Sequence, residues 1–206
     1  MAAKTDAAFQ MAVRQYLDKP AGYLRGLLIE KDWRISELEQ RLAIEPVTGL
    51  LNKPAFMARL QREMDRRCSR KNAAGMSICV LYIDIDGLKK VNDTYGHAAG
   101  DMIIAAVVKA MVDATRPNDE VARMGGDEFA ILLRDASWSA ADGAKRRINT
   151  LLAAQALDAD IDNITPRASI GVVVWNPYKD EGMNANALVE LADEHMLDEK
   201  KTRRIV

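Results

Sequence analysis

The sequence predicts an α+β domain, a sheet with helices on one face, preceded by an N-terminal helical segment. Three observations predict it. The run from Ser77 to Ile85 (SICVLYIDI) is short, apolar and rich in β-formers, as a buried strand is. Two further apolar runs flank Gly125-Gly126, a hairpin signal. Stretches with helical spacing alternate with these strands along the whole chain.

From the N-terminus, residues 7–18 read as a short helix, with Phe9, Val13, Tyr16 and Leu17 on one face. Pro20 and Gly22 interrupt it. A second helix runs from Tyr23 to about Ile44, where Leu28, Ile35 and Leu42 recur every seven residues with Leu38 between them. Charged residues, among them Glu30, Arg34, Glu37 and Arg41, flank this seam. A short dimerising coiled coil and a helix packed on its own domain both fit so few heptads. Pro46 and Gly49 mark a boundary, so 1–45 reads as an extension for dimerisation or signal transmission and 46–206 as the main domain. Helices are expected at 54–71, 87–93, 100–114, 138–157 and 185–201. Strands are expected at 77–85, 120–124, 128–133 and 167–175.

The 206 residues suffice for one sizeable domain and a modest extension, and 49% hydrophobic residues can form a packed core. A net charge of −1 supplies no field for nucleic acid or an anionic membrane, so neither is an expected partner. An anionic substrate must then meet local Lys, Arg or N–H groups. Cys68 and Cys79 are too few for a disulfide framework or a zinc site and read as one surface and one core thiol. The first residues lack a secretory pattern, and no apolar run reaches the roughly 18 residues of a membrane span. A cytoplasmic protein is expected.

Chemistry concentrates at two acidic strand ends. Asp84 and Asp86 close the first apolar run, and period-2 alternation puts both on one face while the strand lasts. A carboxylate there costs desolvation energy unless paired. Hard oxygen ligands beside an anionic substrate suit Mg²⁺. An N-cap role for one of the two is equally open on these residues alone. Gly125-Gly126-Asp127-Glu128 tips the balance. Two glycines permit a turn with positive φ and close approach of a ligand, and two acids follow at the root of an apolar strand. If the hairpin pairs beside Asp84, three or four carboxylates converge and need a cation. Between these ends lies Lys89-Lys90-Val91-Asn92-Asp93-Thr94-Tyr95-Gly96-His97-Ala98-Ala99-Gly100-Asp101. Lys89 can reach phosphate oxygens. Asn92 and Asp101 offer donors and acceptors to a base edge, and a carboxylate at 101 accepts from guanine N1–H and N2–H. Read alone, Asp101 is better placed as an N-cap and His97 as a loop histidine.

These residues resemble the GGDEF-domain diguanylate cyclases over about residues 45–204. Thr48-Gly49-Leu50 with Asn52, then Asp84-Ile85-Asp86, Lys89, Asn92-Asp93, Gly96-His97 and Gly100-Asp101 follow that family's motifs in order. Gly125 to Phe129 spells its namesake motif without a substitution, and Ser169-Ile170-Gly171, Ala192-Asp193 and Lys200 match its last strand and helix. The resemblance implies a palm-like fold similar to adenylyl cyclases and polymerases, with a mainly antiparallel central sheet flanked by helices. It implies condensation of two GTP into cyclic di-GMP across an antiparallel homodimer, with two Mg²⁺ (or Mn²⁺) per active site. It assigns metal binding to Asp84, the Ile85 carbonyl, Asp127 and Glu128, with Asp127 helping to deprotonate the attacking 3′-hydroxyl. Guanine falls to Asn92 and Asp101, with His97 near. Phosphates fall to Lys89, Lys200 and Arg204, beside the Gly125-Gly126 turn. An Arg-x-x-Asp five residues before Gly125, here Arg116 and Asp119, is the family's product-inhibition site; a guanidinium suits guanine stacking and phosphate forks.

Several positions depart from the family pattern. Glu45 replaces an Asp, Lys53-Pro54 replaces Arg-Arg, and Leu88, Met124 and Leu197 stand where aromatic residues are usual. Arg203 and Ile205 replace Gly and Asn. The alternative to an active enzyme is a catalytically weak domain that binds cyclic di-GMP at Arg116 and Asp119 as a receptor.

Overall fold

The computed structural model describes residues 31, 43–69, 77–155 and 164–204. The helix expected at 7–18 and the seam of Leu28, Ile35 and Leu42 lie outside the described residues. The chain divides into two compact units between Leu42 and Ala43, and the second unit carries the sheet.

The elements of this second unit are β1 (Leu51–Asn52), α1 (Lys53–Cys68), β2 (Ile78–Ile85), α2 (Leu88–Tyr95), α3 (His97–Ala114), β3 (Glu120–Arg123), β4 (Glu128–Leu133), α4 (Trp138–Ala154), β5 (Ala168–Trp175) and α5 (Ala185–Arg204). They form a five-stranded sheet in the order β1-β3-β4-β2-β5. Only β1 and β3 run parallel; the other pairs are antiparallel. The α+β architecture and palm-like sheet are as expected. The two-residue strand β1 and the bridge from Ile44 to Leu51 are additions to the expected elements, so Ile44 ends in a β-bridge rather than a helix.

One expectation is overturned. Helices cover both faces of the sheet, not one. Along β2, Cys79, Leu81, Ile83 and Ile85 point into a core with Ile103, Val107 and Met111 of α3 and Ile148 and Leu152 of α4. Ile78, Val80 and Tyr82 point the other way, onto Phe56, Leu60 and Met64 of α1 and Leu188, Ala192 and Met196 of α5. The reason is in β2 itself, whose eight residues are all buried. A half-solvated strand alternates; an unbroken apolar run has to be covered on both sides.

Local chemistry fixes the element ends. The Asn52 side chain caps α1 by accepting from the Ala55 N–H, with Pro54 in the first turn. Ser137 caps α4 by accepting from the Ala140 N–H. Gly87 and Gly96, at φ 74° and 84°, make the left-handed steps that start α2 and α3. Cys68 is exposed, while Cys79 is buried with its thiol donating to the Ala136 carbonyl, and burial pushes that thiol up to about 12.

Gly171 positions α5. A Cβ there would lie 2.0 Å from the Ala192 carbonyl oxygen and 2.4 Å from the Met196 nitrogen. Helix and strand therefore touch backbone to backbone, which sets the height at which the next turn of α5 reaches the sheet end. At the other end of the sheet, the fully buried Arg67 pairs with Glu63 and with Asp135, tying α1 to the turn after β4.

Candidate active site

The acidic strand ends meet as expected. Asp84 on β2 lies opposite Glu128 on β4 and Ser169 on β5. Cross-strand partners share a face, so these three side chains form one polar row on the α1/α5 side of the sheet. The Ile85 N–H donates to the Asp127 carbonyl at 3.0 Å, which fastens the signature turn to the end of β2. Asp86 follows the strand, and its carboxylate accepts from the Ser169 hydroxyl at 2.8 Å. From α5, the Lys200 ammonium donates to Asp84 Oδ1 at 2.5 Å. Neither Asp84 nor Asp101 caps a helix, because Gly87 and Gly96 occupy those places.

The electrostatics are those of crowded acids. Burial, with the charges of Asp127 and Asp86, pushes the Asp84 carboxyl above its ordinary value against the pull of Lys200. Burial, with Asp127, Asp193 and Asp84, pushes Glu128 up, against Lys53. Burial, with Glu128, Asp193 and Asp84, pushes the Tyr82 phenol up as well. Among the described residues, no three His, Cys, Asp or Glu side chains form a ready metal cage. The donor set still fits Mg²⁺, which takes one or two carboxylates and completes its shell with water and phosphate. A cation already stands at Asp84 in the form of Lys200.

The Gly125-Gly126 turn works differently from expectation. Neither glycine adopts a positive φ. At Gly125 the Glu128 carboxylate takes up the space of a side chain, since a Cβ there would come 2.6 Å from Glu128 Oε2. Gly126 faces open space. The turn is held instead by Arg123, which sequence reasoning missed. Its guanidinium donates to the Gly125 carbonyl at 3.1 Å and the Gly126 carbonyl at 2.7 Å. Arg123 is in turn paired with Glu45 at 3.3 Å. Glu45 also accepts from the Val47 and Thr48 N–H groups and the Thr48 hydroxyl. Although partial burial opposes it, these donors hold the Glu45 carboxyl down at about 2. A cationic residue two places before an acidic turn is the signal that could have found the brace. Lys53 and Asp193, whose charges act on Glu128, are two further site residues that the strand-end argument does not reach.

The base-reading candidates flank the α2/α3 junction. Asn92 Oδ1 is buried and has no hydrogen-bond partner. It packs on Gly100, where a Cβ would lie 1.9 Å away. Asp101, beside it, and His97, the first residue of α3, are exposed, as is Lys89 on α2. Arg204 is the last residue of α5, and its side chain lies outside the described residues. Leu88 and Met124, which stand where aromatics are usual, are buried in the two cores, while Leu197 is exposed.

Arg116 and Asp119 line a cavity of about 460 Å³ at the start of β3, with Arg59 and Glu120 on its rim. The four-residue β3 separates them from the signature turn, roughly 13 Å of extended chain. Asp119 accepts from the Arg116 N–H at 2.9 Å and from the Arg134 N–H at 3.2 Å, so its carboxylate also shapes the turn.

Comparison with known proteins agrees with this geometry. The family described as "Diguanylate cyclase, GGDEF domain" matches residues 42–205. Diguanylate cyclase A of Treponema denticola is 38% identical over 128 residues, which cover 62% of this chain and 34% of that protein. Diguanylate cyclase DosC of Escherichia coli K12 is 33% identical, with 79% of this chain and 34% of that protein covered. The chain thus spans about a third of the length of these relatives. Among solved structures, the GGDEF domain of DgcB from Caulobacter crescentus, in complex with c-di-GMP, superposes with a TM-score of 0.68 at 26% identity, covering 78% of this chain and 91% of that one. The diguanylate cyclase SiaD from Pseudomonas aeruginosa, in complex with its activator SiaC, gives 0.68 at 28% identity over 98% and 79%. The acid row at the β2 end, the hairpin beside it and these matches together make the chain a member of the GGDEF-domain diguanylate cyclase family.

Proposed function

We propose that the chain is an active diguanylate cyclase, condensing two GTP into cyclic di-GMP and two pyrophosphates with one GTP on each domain of an antiparallel homodimer. The observation that carries this reading is the intact signature hairpin, with Glu128 opposite Asp84 and the Asp127 carbonyl bonded to Ile85. A domain retired to a receptor has no physical use for clustered acids whose burial and mutual repulsion raise their own protonation. Asn92, whose buried Oδ1 lacks a partner, and the exposed Asp101 read guanine, Asp101 accepting from N1–H and N2–H where adenine has no donors. Lys89, Lys200 and Arg204 hold phosphates, with His97 near the base and Gly125-Gly126 beside the triphosphate. A 3′-oxygen attacks the α-phosphorus of the facing GTP, and pyrophosphate leaves. Asp127 receives the hydroxyl proton. Two Mg²⁺ or Mn²⁺ ions held by Asp84, the Ile85 carbonyl, Asp127 and Glu128 would acidify that hydroxyl and neutralise the triphosphate.

Arg116 and Asp119 form the product-inhibition site in this reading. The exposed Arg116 is available to stack on guanine, beside a fixed carboxylate. GTP fixes the compartment as the cytoplasm, and residues 1–45 dimerise the domain or carry a signal to it. Incubating the full chain with GTP and Mg²⁺ is expected to yield cyclic di-GMP. No product, with tight binding of added cyclic di-GMP, would establish the receptor alternative instead. Arg116→Ala is expected to relieve inhibition by added product; unchanged inhibition would remove that site from the account.

A further inference from the structure

Asp84 and Lys200 form an ion pair that joins the acid row at the sheet end to α5. Their side chains are only 13% and 23% exposed, and the ammonium sits 2.5 Å from Asp84 Oδ1. Asp84 is crowded by Asp127 and Asp86, so removing its partner would leave a buried carboxylate among like charges. Lys200 therefore neutralises in the metal-free chain the carboxylate that the proposed cyclase offers to its cation. Both cannot hold it in the same way. A divalent ion bound to Asp84 brings two charges to within about 2.1 Å of the carboxylate, and an ammonium at hydrogen-bond distance from the same group is strongly repelled.

The helix is built so that the lysine can leave while its backbone stays. One turn earlier, Met196 is buried against Gly171. Immediately before it, Glu199 pairs with Lys145, whose ammonium also donates to the Ile170 carbonyl at 2.8 Å. These contacts pin α5 to β5. The long, flexible stem of Lys200 is then free to redirect three donors without moving the helix.

We infer that Lys200 is a displaceable counter-ion: it holds Asp84 in the resting chain, blocks metal binding there, and passes its ammonium to the nucleotide phosphates when metal and nucleotide arrive together. This rests on the metal site of the proposed cyclase. Its consequence is cooperativity. A metal ion alone has to evict Lys200 into water, whereas a metal ion arriving with a triphosphate gives the lysine a new anionic partner. The resting site is thereby protected from metal without substrate.

The test is Mn²⁺ binding by the full chain, without nucleotide, followed by calorimetry for the wild type, Lys200→Gln, Lys200→Met and Lys200→Arg. The two neutral variants are expected to bind Mn²⁺ on the order of tenfold more tightly than the wild type, and Lys200→Arg to stay near it. The same neutral variants are expected to bind GTP in the presence of Mn²⁺ more weakly, so one substitution moves the two affinities in opposite directions. Circular dichroism establishes that each variant is folded, and the methionine keeps the apolar stem in place. Mn²⁺ affinity unchanged or weakened in both neutral variants would overturn the exchange while leaving the metal site intact. Absence of saturable Mn²⁺ binding in every protein would overturn the exchange together with the metal site on which it rests.

Discussion

At the scale of single residues, the site depends on what is left out as much as on what is present. Gly100 has no Cβ, and Asn92 Oδ1 occupies the space one would take. Alanine is ordinarily the better residue inside a helix, by about 1 kcal/mol. Gly100→Ala should therefore leave stability equal or higher while forcing Asn92 out of place. The loss of one hydrogen bond to guanine corresponds to roughly a tenfold rise in KM for GTP. Steady-state kinetics and thermal melting check the two arms, and an unchanged KM would detach Asn92 from base reading. At Gly125, too, the space of a missing Cβ is used, here by the Glu128 carboxylate.

At the scale of elements, α5 carries Lys200 and Asp193 to the sheet end, and Gly171 decides how close it comes. Gly171→Ala sets a methyl group against the α5 backbone, an overpacking that costs about 1–3 kcal/mol. Displacing a positioning helix by about 1 Å can cost on the order of 100-fold in rate. Urea unfolding and turnover measured together should show both losses, and full activity in this variant would show that the height of α5 is immaterial. The elements themselves are legible in the sequence. The β4 boundaries agree with those expected, and those of β2 and α5 nearly do, because Gly, Pro and acidic residues punctuate them. The one-faced sheet is a misreading that Ser77 to Ile85 could have prevented, since that apolar run never alternates. The Asp84–Glu128 pairing is legible from residue types, but the Arg123–Glu45 brace is not. It joins residues 78 positions apart, and only strand register brings them together. The positive φ expected at Gly125 and Gly126 is absent for a related reason. Glycine permits that conformation without requiring it: at Gly125 the Glu128 carboxylate takes up the space a Cβ would fill, and Gly126 faces open space.

At the scale of the whole molecule, the proposed condensation of two nucleotides needs two acid rows and two base-reading edges, and one domain would supply one of each. Turnover per chain should therefore rise with protein concentration until the homodimer is saturated. Initial rates across a dilution series, alongside sedimentation, check this; a rate per chain independent of concentration while the protein is monomeric would contradict the two-domain reaction. No helix among the described residues is long and apolar enough to cross a membrane. The central claim is that the acids of β2 and the signature hairpin act together on one nucleotide. It is tested most directly by cyclic di-GMP formation from GTP and Mg²⁺ in wild-type protein and Asp127→Ala. The account predicts product from the wild type and none above background from a variant with wild-type circular dichroism. Near wild-type turnover in Asp127→Ala would contradict it.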